Sequence, residues 1–133
     1  MFAGKTLAAE ERCASSLTVT TRSIGTSRFD RNHVRLTRIT VDPSRLDAFL
    51  ESASQVGRDS IQKEPGVRVL YSVRSKARPN EITILEIYES EAAYRAHIQS
   101  EHFQKFKRDT AELVRTLELI DCVPLVPEAF IKP

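Results

Sequence analysis

The sequence predicts an α+β domain of the ferredoxin-like βαββαβ type, with a sheet whose open face closes against a second copy of the chain. Three observations carry this. An alternating, β-branched run at residues 33–41 passes directly into a helix start at Asp42-Pro43. Two further strand-like runs flank a charged turn at residues 74–80, and a second helical region and a last strand follow, which completes the split β-α-β order. The strands also carry apolar residues at both parities, so both faces of the sheet ask to be covered. With 133 residues, 41% of them hydrophobic, a single domain burying roughly two-thirds of its unfolded surface is expected.

Residues 1–32 are rich in Ser, Thr and Arg, with isolated apolar residues and no sustained period, and read as a flexible arm outside the core. From Arg12 to Phe29 the arm has arginines and hydroxyl residues without acids, as an organellar transit peptide does, whereas Glu10 and Glu11 argue against that reading. The ordered domain is placed at residues 33–133. After the first strand, Asp42 can cap the free amides of a first helical turn while Pro43 gives up no needed hydrogen bond. Leu46, Phe49, Leu50, Ala53, Val56 and Ile61 then form one apolar stripe that ends at Glu64-Pro65-Gly66. Residues 67–73 and 81–88 form a hairpin around the charged turn. Ser90 can cap a helix running to about Gln99, and a further helical stretch at residues 101–113 presents Phe103, Phe106, Thr110 and Leu113 on one side. Residues 117–123 supply the fourth strand. Pro124 and Pro127 then force an extended tail whose apolar residues, Phe130 and Ile131 among them, are expected to latch onto the other subunit.

Composition removes several function classes. No run approaches the roughly 20 apolar residues of a membrane span, and the start lacks the apolar core of a secretory signal, so a soluble, cytoplasmic protein without membrane contact is expected. From His33 onward the chain has 15 basic and 15 acidic residues, so the formal excess of +2 comes from the first 32 and the domain has no electrostatic case for nucleic acid. The two cysteines, Cys13 and Cys122, lack CxxC or zinc-ligand spacing and read as free thiols of a reducing compartment. There is no GxGxxG, no phosphate loop and no Ser-His-Asp set, and no cofactor is expected. One sheet face needs a partner, since Ile82 and Ile84 oppose Leu85 and Ile87, and Val67, Val69 and Val73 oppose Leu70. A homodimer with its sheets face to face is the economical answer.

The stretch from Glu86 to Phe106 concentrates ionisable groups at one strand-to-helix junction. Glu86 and Tyr88 end the third strand, His97 follows on the helix, and Ser100, His102 and Phe103 follow in turn. This pattern resembles the antibiotic biosynthesis monooxygenase domain family, with its Glu-x-aromatic strand end, a His, and a Ser/Thr-x-His-aromatic step. The resemblance extends less sharply over about residues 33 to 126. It implies a dimeric α+β barrel and one of several chemistries, since the family includes quinol oxygenases, haem degraders and sugar-phosphate isomerases. Haem-degrading relatives and the best-known aromatic polyketide oxygenases use a pocket tryptophan, and this chain has none.

His97 is the leading candidate for catalysis, because a helix histidine beside a sheet can titrate near neutral pH and move a proton to or from a substrate. Glu86 shares the parity of Ile82, Ile84 and Tyr88, so its carboxylate is expected to be enclosed and to need a partner. It can orient His97 or a substrate hydroxyl, act as the base itself, or pair with Arg38 on the first strand. His102 lies five positions after His97, about 140° around an unbroken helix. The two converge only if the helix breaks near Ser100-Glu101, so His102 is expected as a cap or packing residue rather than a second catalytic group, and is grouped with Tyr88, Phe103 and Arg38 as a substrate-binding candidate. The same spacing argues against a metal, with or without His33.

Tyr71 is expected to donate a hydrogen bond to a carbonyl or developing oxyanion. Tyr88 and Phe103 are expected to wall a flat pocket, with Phe49 and Phe106 as core. Arg38 or Arg58 could meet an anionic substrate group. Taken with these residues, the resemblance implies a cofactor-independent monooxygenase that uses dioxygen on a small phenol or quinol. The alternatives are an isomerase of a small carbonyl or sugar-phosphate compound using the same His, Glu and Tyr, or a non-catalytic small-molecule-binding module.

Overall fold

The alternating run at the start of the domain forms strand β1 (His33–Val41) in a computed structural model that describes residues 32–126. The expected arm, apart from Asn32, and the end of the expected tail lie outside the described residues. The Asp42 carboxylate accepts the Ser44 amide at 3.0 Å, as the capping argument requires, and opens a single 3-10 turn (Pro43–Arg45) before helix α1 (Leu46–Lys63). Strands β2 (Val67–Arg74) and β3 (Glu81–Tyr88) form the hairpin. Helices α2 (Glu91–Gln99) and α3 (Glu101–Thr110) meet at Ser100, and β4 (Val114–Cys122) closes the set.

The four strands form one antiparallel sheet in the order β2-β3-β1-β4, the ferredoxin-like α+β arrangement. β4 starts three residues earlier than the apolar pattern indicated. Its pairing follows β1 to that strand's end, with Val41 opposite Val114 across a bulge, and the Asp42 amide donates to the Leu113 carbonyl at 2.8 Å. Leu113 therefore leaves the helix and enters the core, where it packs with Ile39, Val41, Phe49 and Ile82. A second buried cluster joins Val67, Tyr88 and Tyr94.

Strand parity decides what faces the helices. On β1 the odd positions Arg35, Thr37, Ile39 and Val41 are buried on that side, while Arg38 is exposed on the other. Their cross-strand partners share the face: Arg35 stands opposite Glu86 on β3 and Asp121 on β4. On β2 the register shifts between Val67 and Val69, which puts Leu70 and Ser72 opposite Glu86 and Ile84 and turns Tyr71 and Val73 to the helix-free face. That face exposes Tyr71 (66%), Val73 (48%) and Leu85 (38%). Among the described residues no helix is long and apolar enough to cross a membrane.

Candidate active site

Between the sheet and the helices lies a cavity of about 110 Å³. Its apolar walls come from both layers, with Ile39, Ile84, Leu117 and Leu119 on the strands facing Val56, Phe103 and Phe106 on the helices. Into this setting the chain projects a few polar groups: Arg35 and Thr37 from β1, Glu86 from β3, and Tyr94 and His97 from α2. A small apolar cavity with a few converging polar groups is the usual form of a ligand site.

His97 is held by a carboxylate, and the carboxylate is Glu64. The His97 Nδ1 lies 2.9 Å from Glu64 Oε2, and the same oxygen lies 2.6 Å from Nε2 of His102. Convergence of the two histidines follows from a helix break. Ser100 takes an extended conformation (φ −65°, ψ 150°), its hydroxyl donates to the His97 carbonyl at 2.6 Å, and its oxygen accepts the Phe103 amide at 3.3 Å. One serine thus ends α2 and starts α3, and the change of direction brings His102 round to the carboxylate that His97 uses.

Glu64 arrives from the end of α1, where a negative charge opposes the helix dipole and calls for donors; the two imidazoles supply them. The turn that carries it lies tight against α2. A Cβ on Gly66 would stand 2.6 Å from the Ala93 Cβ, and the Gly66 carbonyl accepts the Glu89 amide at 2.7 Å. A carboxylate can only accept, so His97 donates its Nδ1–H and its Nε2 is left with the lone pair. The ring is buried, lines the cavity, and packs against Tyr88 and Phe103 with centroids 5.3 and 5.0 Å away. Nothing among the described residues bonds to Nε2, so a proton taken from a cavity occupant can be received there, with Glu64 stabilising the resulting imidazolium.

The other polar groups are more firmly committed. Arg35, 3% exposed, gives Nε and Nη2 to Asp121 Oδ1 at 3.0 and 2.6 Å and Nη1 to the Tyr94 hydroxyl, and its guanidinium carbon lies 4.4 Å from the centre of the Tyr94 ring. Glu86 accepts from the Tyr88 hydroxyl at 2.6 Å through one oxygen and from the Thr37 hydroxyl through the other. Burial first, and the Glu86 carboxylate second, push the Tyr88 hydroxyl far above the usual phenol range, so Tyr88 stays protonated as a fixed donor. His33 stacks on Tyr94 with centroids 4.7 Å apart. Burial, and then the neighbouring Arg35, lower its pKa below the ordinary histidine value.

The structure therefore brings together His97, Glu86 and Phe103 at the cavity and joins His102 to them through Glu64. Tyr88, fully buried, supports Glu86 from behind and does not line the cavity. Tyr71 and Arg38 take neither expected place, because their parity directs both to the helix-free face of the sheet. The expected partnerships of Glu86 with His97 or Arg38 are likewise replaced, by Thr37 and Tyr88. His102 is more than a cap, since the helix break that would let it reach His97 is present. Arg35 and Glu64 escaped the sequence reading. The signal for Arg35 was its parity with Ile39 and Val41; that for Glu64 was an acid at a helix C-terminus.

Glu64, His97 and His102 each bring one ligand atom within 4.8 Å of the others, the composition of a two-histidine, one-carboxylate metal site. Their hydrogen bonding takes another form. Both rings address a single oxygen, and among the described residues neither opposite ring nitrogen has the second acceptor that metal-bound imidazoles use. The arrangement is that of a carboxylate shared by two imidazoles.

Comparison with known proteins gives a consistent result. The sequence pattern of the family described as antibiotic biosynthesis monooxygenase matches residues 33–109. A crystal structure from Bacteroides thetaiotaomicron, of a protein provisionally named an antibiotic biosynthesis monooxygenase, is 48% identical, with a TM-score of 0.77 over 78% of this chain and 99% of that one. A similarly named protein from Nitrosomonas europaea (20% identity, TM-score 0.69, 75% and 96% coverage) and PA3566 from Pseudomonas aeruginosa (18%, 0.68, 74% and 98%) share the fold. No protein with a curated description matches the chain.

Proposed function

The chain belongs to the antibiotic biosynthesis monooxygenase family, and we propose that it is a cofactor-independent monooxygenase of a small, single-ring phenol or quinol, with His97 as the base. The observation that carries this reading is the His97–Glu64 pair: a buried imidazole that lines an apolar cavity, with Nδ1 held by a carboxylate and Nε2 without a hydrogen-bond partner among the described residues. Such a base removes a hydroxyl proton, and the anion it leaves is electron-rich enough to pass an electron to dioxygen. Joining of the two radicals at a ring carbon gives a peroxide. Loss of the ring hydrogen with cleavage of the O–O bond yields a quinone, and the departing hydroxide takes the proton from His97 as water. One phenol and one dioxygen thus become one quinone and one water.

Cavity size limits the substrate. About 110 Å³ is somewhat below the roughly 150 Å³ in which an engineered apolar cavity takes benzene, so one ring fits with small adjustment and fused tricycles do not. Phosphorylated substrates are disfavoured as well. Among the described residues the cation lining the cavity is Arg35, which is held by Asp121 and Tyr94. We place Glu86, fixed by Thr37 and Tyr88, as the acceptor that orients a substrate hydroxyl, and Phe103 as the wall the ring lies on. A second copy covers the helix-free face, where Tyr71, Val73 and Leu85 are exposed. The free thiol of Cys122 fits a reducing, cytoplasmic setting.

Dissolved oxygen measured with catechols and hydroquinones, and with a naphthoquinol as the size control, tests the proposal. Uptake above autoxidation that His97→Ala removes supports it. Absence of uptake from every phenol, with proton exchange into a small carbonyl ligand, would replace it by an isomerase.

A further inference from the structure

The carboxylate of Glu64 has two sides. On the inner side it holds His97, which lines the closed cavity. On the outer side it holds His102, which does not line that cavity but opens into a separate groove between α1 and α3. The His102 side chain is 11% exposed against 5% for His97. One oxygen atom thus links the buried ring of His97 to a ring that borders the groove.

Building on the reading of His97 as the base, we propose that Glu64, His97 and His102 form a two-ended proton exchanger. His97 takes a proton from the cavity occupant while His102 gives one up to the groove, so the site trades protons with solvent without opening. His102 touches no substrate in this scheme and acts through Glu64, as a positioning residue. At rest the trio carries one extra proton, on His102, whose two N–H groups face Glu64 and the groove. When His97 Nε2 receives the substrate proton, two cations share one carboxylate. The cation nearer water then loses its Nδ1 proton to the groove and keeps Nε2–H on Glu64. Only N–H bonds change, and the trio again carries one extra proton; the reverse sequence returns a proton to the cavity.

The surroundings place the resting proton outside. Around His102 the groove is lined from α1 by Glu51, Arg58, Asp59 and Lys63, and from α3 by Glu101, Lys105 and Asp109, four acids against three bases. Around His97 the charged neighbours are Arg35 on β1, already bound to Asp121, and Glu86 on β3, already bonded to Thr37 and Tyr88; Tyr88 and, from α2, Tyr94 are neutral. Cavity walls that are otherwise apolar disfavour a standing charge there.

The histidine-ring nitrogen resonances of the full chain, followed through a pH titration by NMR without any ligand, test this. In the wild type His102 is expected to take up its proton at higher pH than His97. In His102→Gln, which keeps an amide donor for Glu64 but cannot ionise, the His97 midpoint is expected to rise by about one pH unit or more, because the competing cation is gone. In Glu64→Gln the two rings are expected to titrate independently. A His97 midpoint that does not move in His102→Gln, or a wild type in which His97 is protonated first, overturns the proposal. The order of titration in the wild type decides the matter even where a variant fails to fold. Since no substrate is used, failure of the oxygen-uptake test leaves this result standing, and the reverse also holds.

Discussion

The two faces of the sheet reverse the usual distribution of side chains. The face under the helices is largely withdrawn from water, yet it holds a guanidinium and two carboxylates at Arg35, Asp121 and Glu86, and α2 sets the imidazole of His97 against it. The face without helices meets solvent in the single chain, yet presents Tyr71, Val73 and Leu85. Polar groups withdrawn wholly or partly from water need partners, and each of these has one: Asp121 for Arg35, Thr37 and Tyr88 for Glu86, Glu64 for His97. Exposed apolar groups need cover, and the described part of the chain supplies none. Departures from the expected distribution thus separate by place, with enclosed polarity gathered at the cavity and exposed apolarity on the open face where the proposed second copy would sit.

The largest expected effect tests the inner face. His97→Ala should lower oxygen uptake per chain by about 10²- to 10⁴-fold, the usual worth of a general base, while the molar mass from light scattering is unchanged. Next is the outer face. Leu85→Asp should weaken self-association by on the order of 2 kcal/mol, about thirtyfold, and halve the molar mass at micromolar concentration while the cavity keeps its activity. Were uptake to disappear as well, the outer face would belong to the site and the division between the faces would fail.

Gly66→Ala probes the support of the inner face, at the turn that carries Glu64 against α2. Its methyl group meets Ala93, so chemical denaturation should show a loss of roughly 1–3 kcal/mol, together with a weakened hold of Glu64 on His97. A smaller effect comes from His33, whose pKa is lowered on folding by burial and by Arg35. The unfolded chain then binds more protons than the folded one below the ordinary histidine pKa, so this contribution is present above about 6.5 and is lost as pH falls through the lowered value. His33→Phe, which keeps a ring on Tyr94, should therefore lose less stability between pH 7.5 and 5 than the wild type, read from denaturant midpoints. Tyr71→Phe should leave uptake within about twofold of wild type, the ordinary scale of a surface change, since the hydroxyl lies across the sheet from His97.

Much of the fold could be read in the residues because its signals are local. Alternation in 33–41, the Asp42-Pro43 cap, the stop at Glu64-Pro65-Gly66 and the Ser90 cap each act within a few residues, and all appear where expected. The start of β4 was missed because a pairing with β1, distant in sequence, decided it. The site was readable only in its inner members. Parity pointed Glu86 inward and the motif singled out His97. Tyr71 was misplaced because the bulge after Val67 reverses the apparent alternation of β2, and Arg38 because its distance from Arg35 along the strand is odd.

By itself the sequence determined the kinds of element and their order, because φ/ψ preferences, caps and the two side-chain periods are properties of neighbours along the chain, whereas the face of a residue beyond a bulge, such as Tyr71, waits on pairing. Tertiary structure alone decided which charge meets which. The register sets Arg35 against Asp121, and Glu64 reaches both histidines only once α1 packs on the helices broken at Ser100. Contacts between residues dozens of positions apart are fixed by how layers pack to bury apolar area, and no local period encodes that.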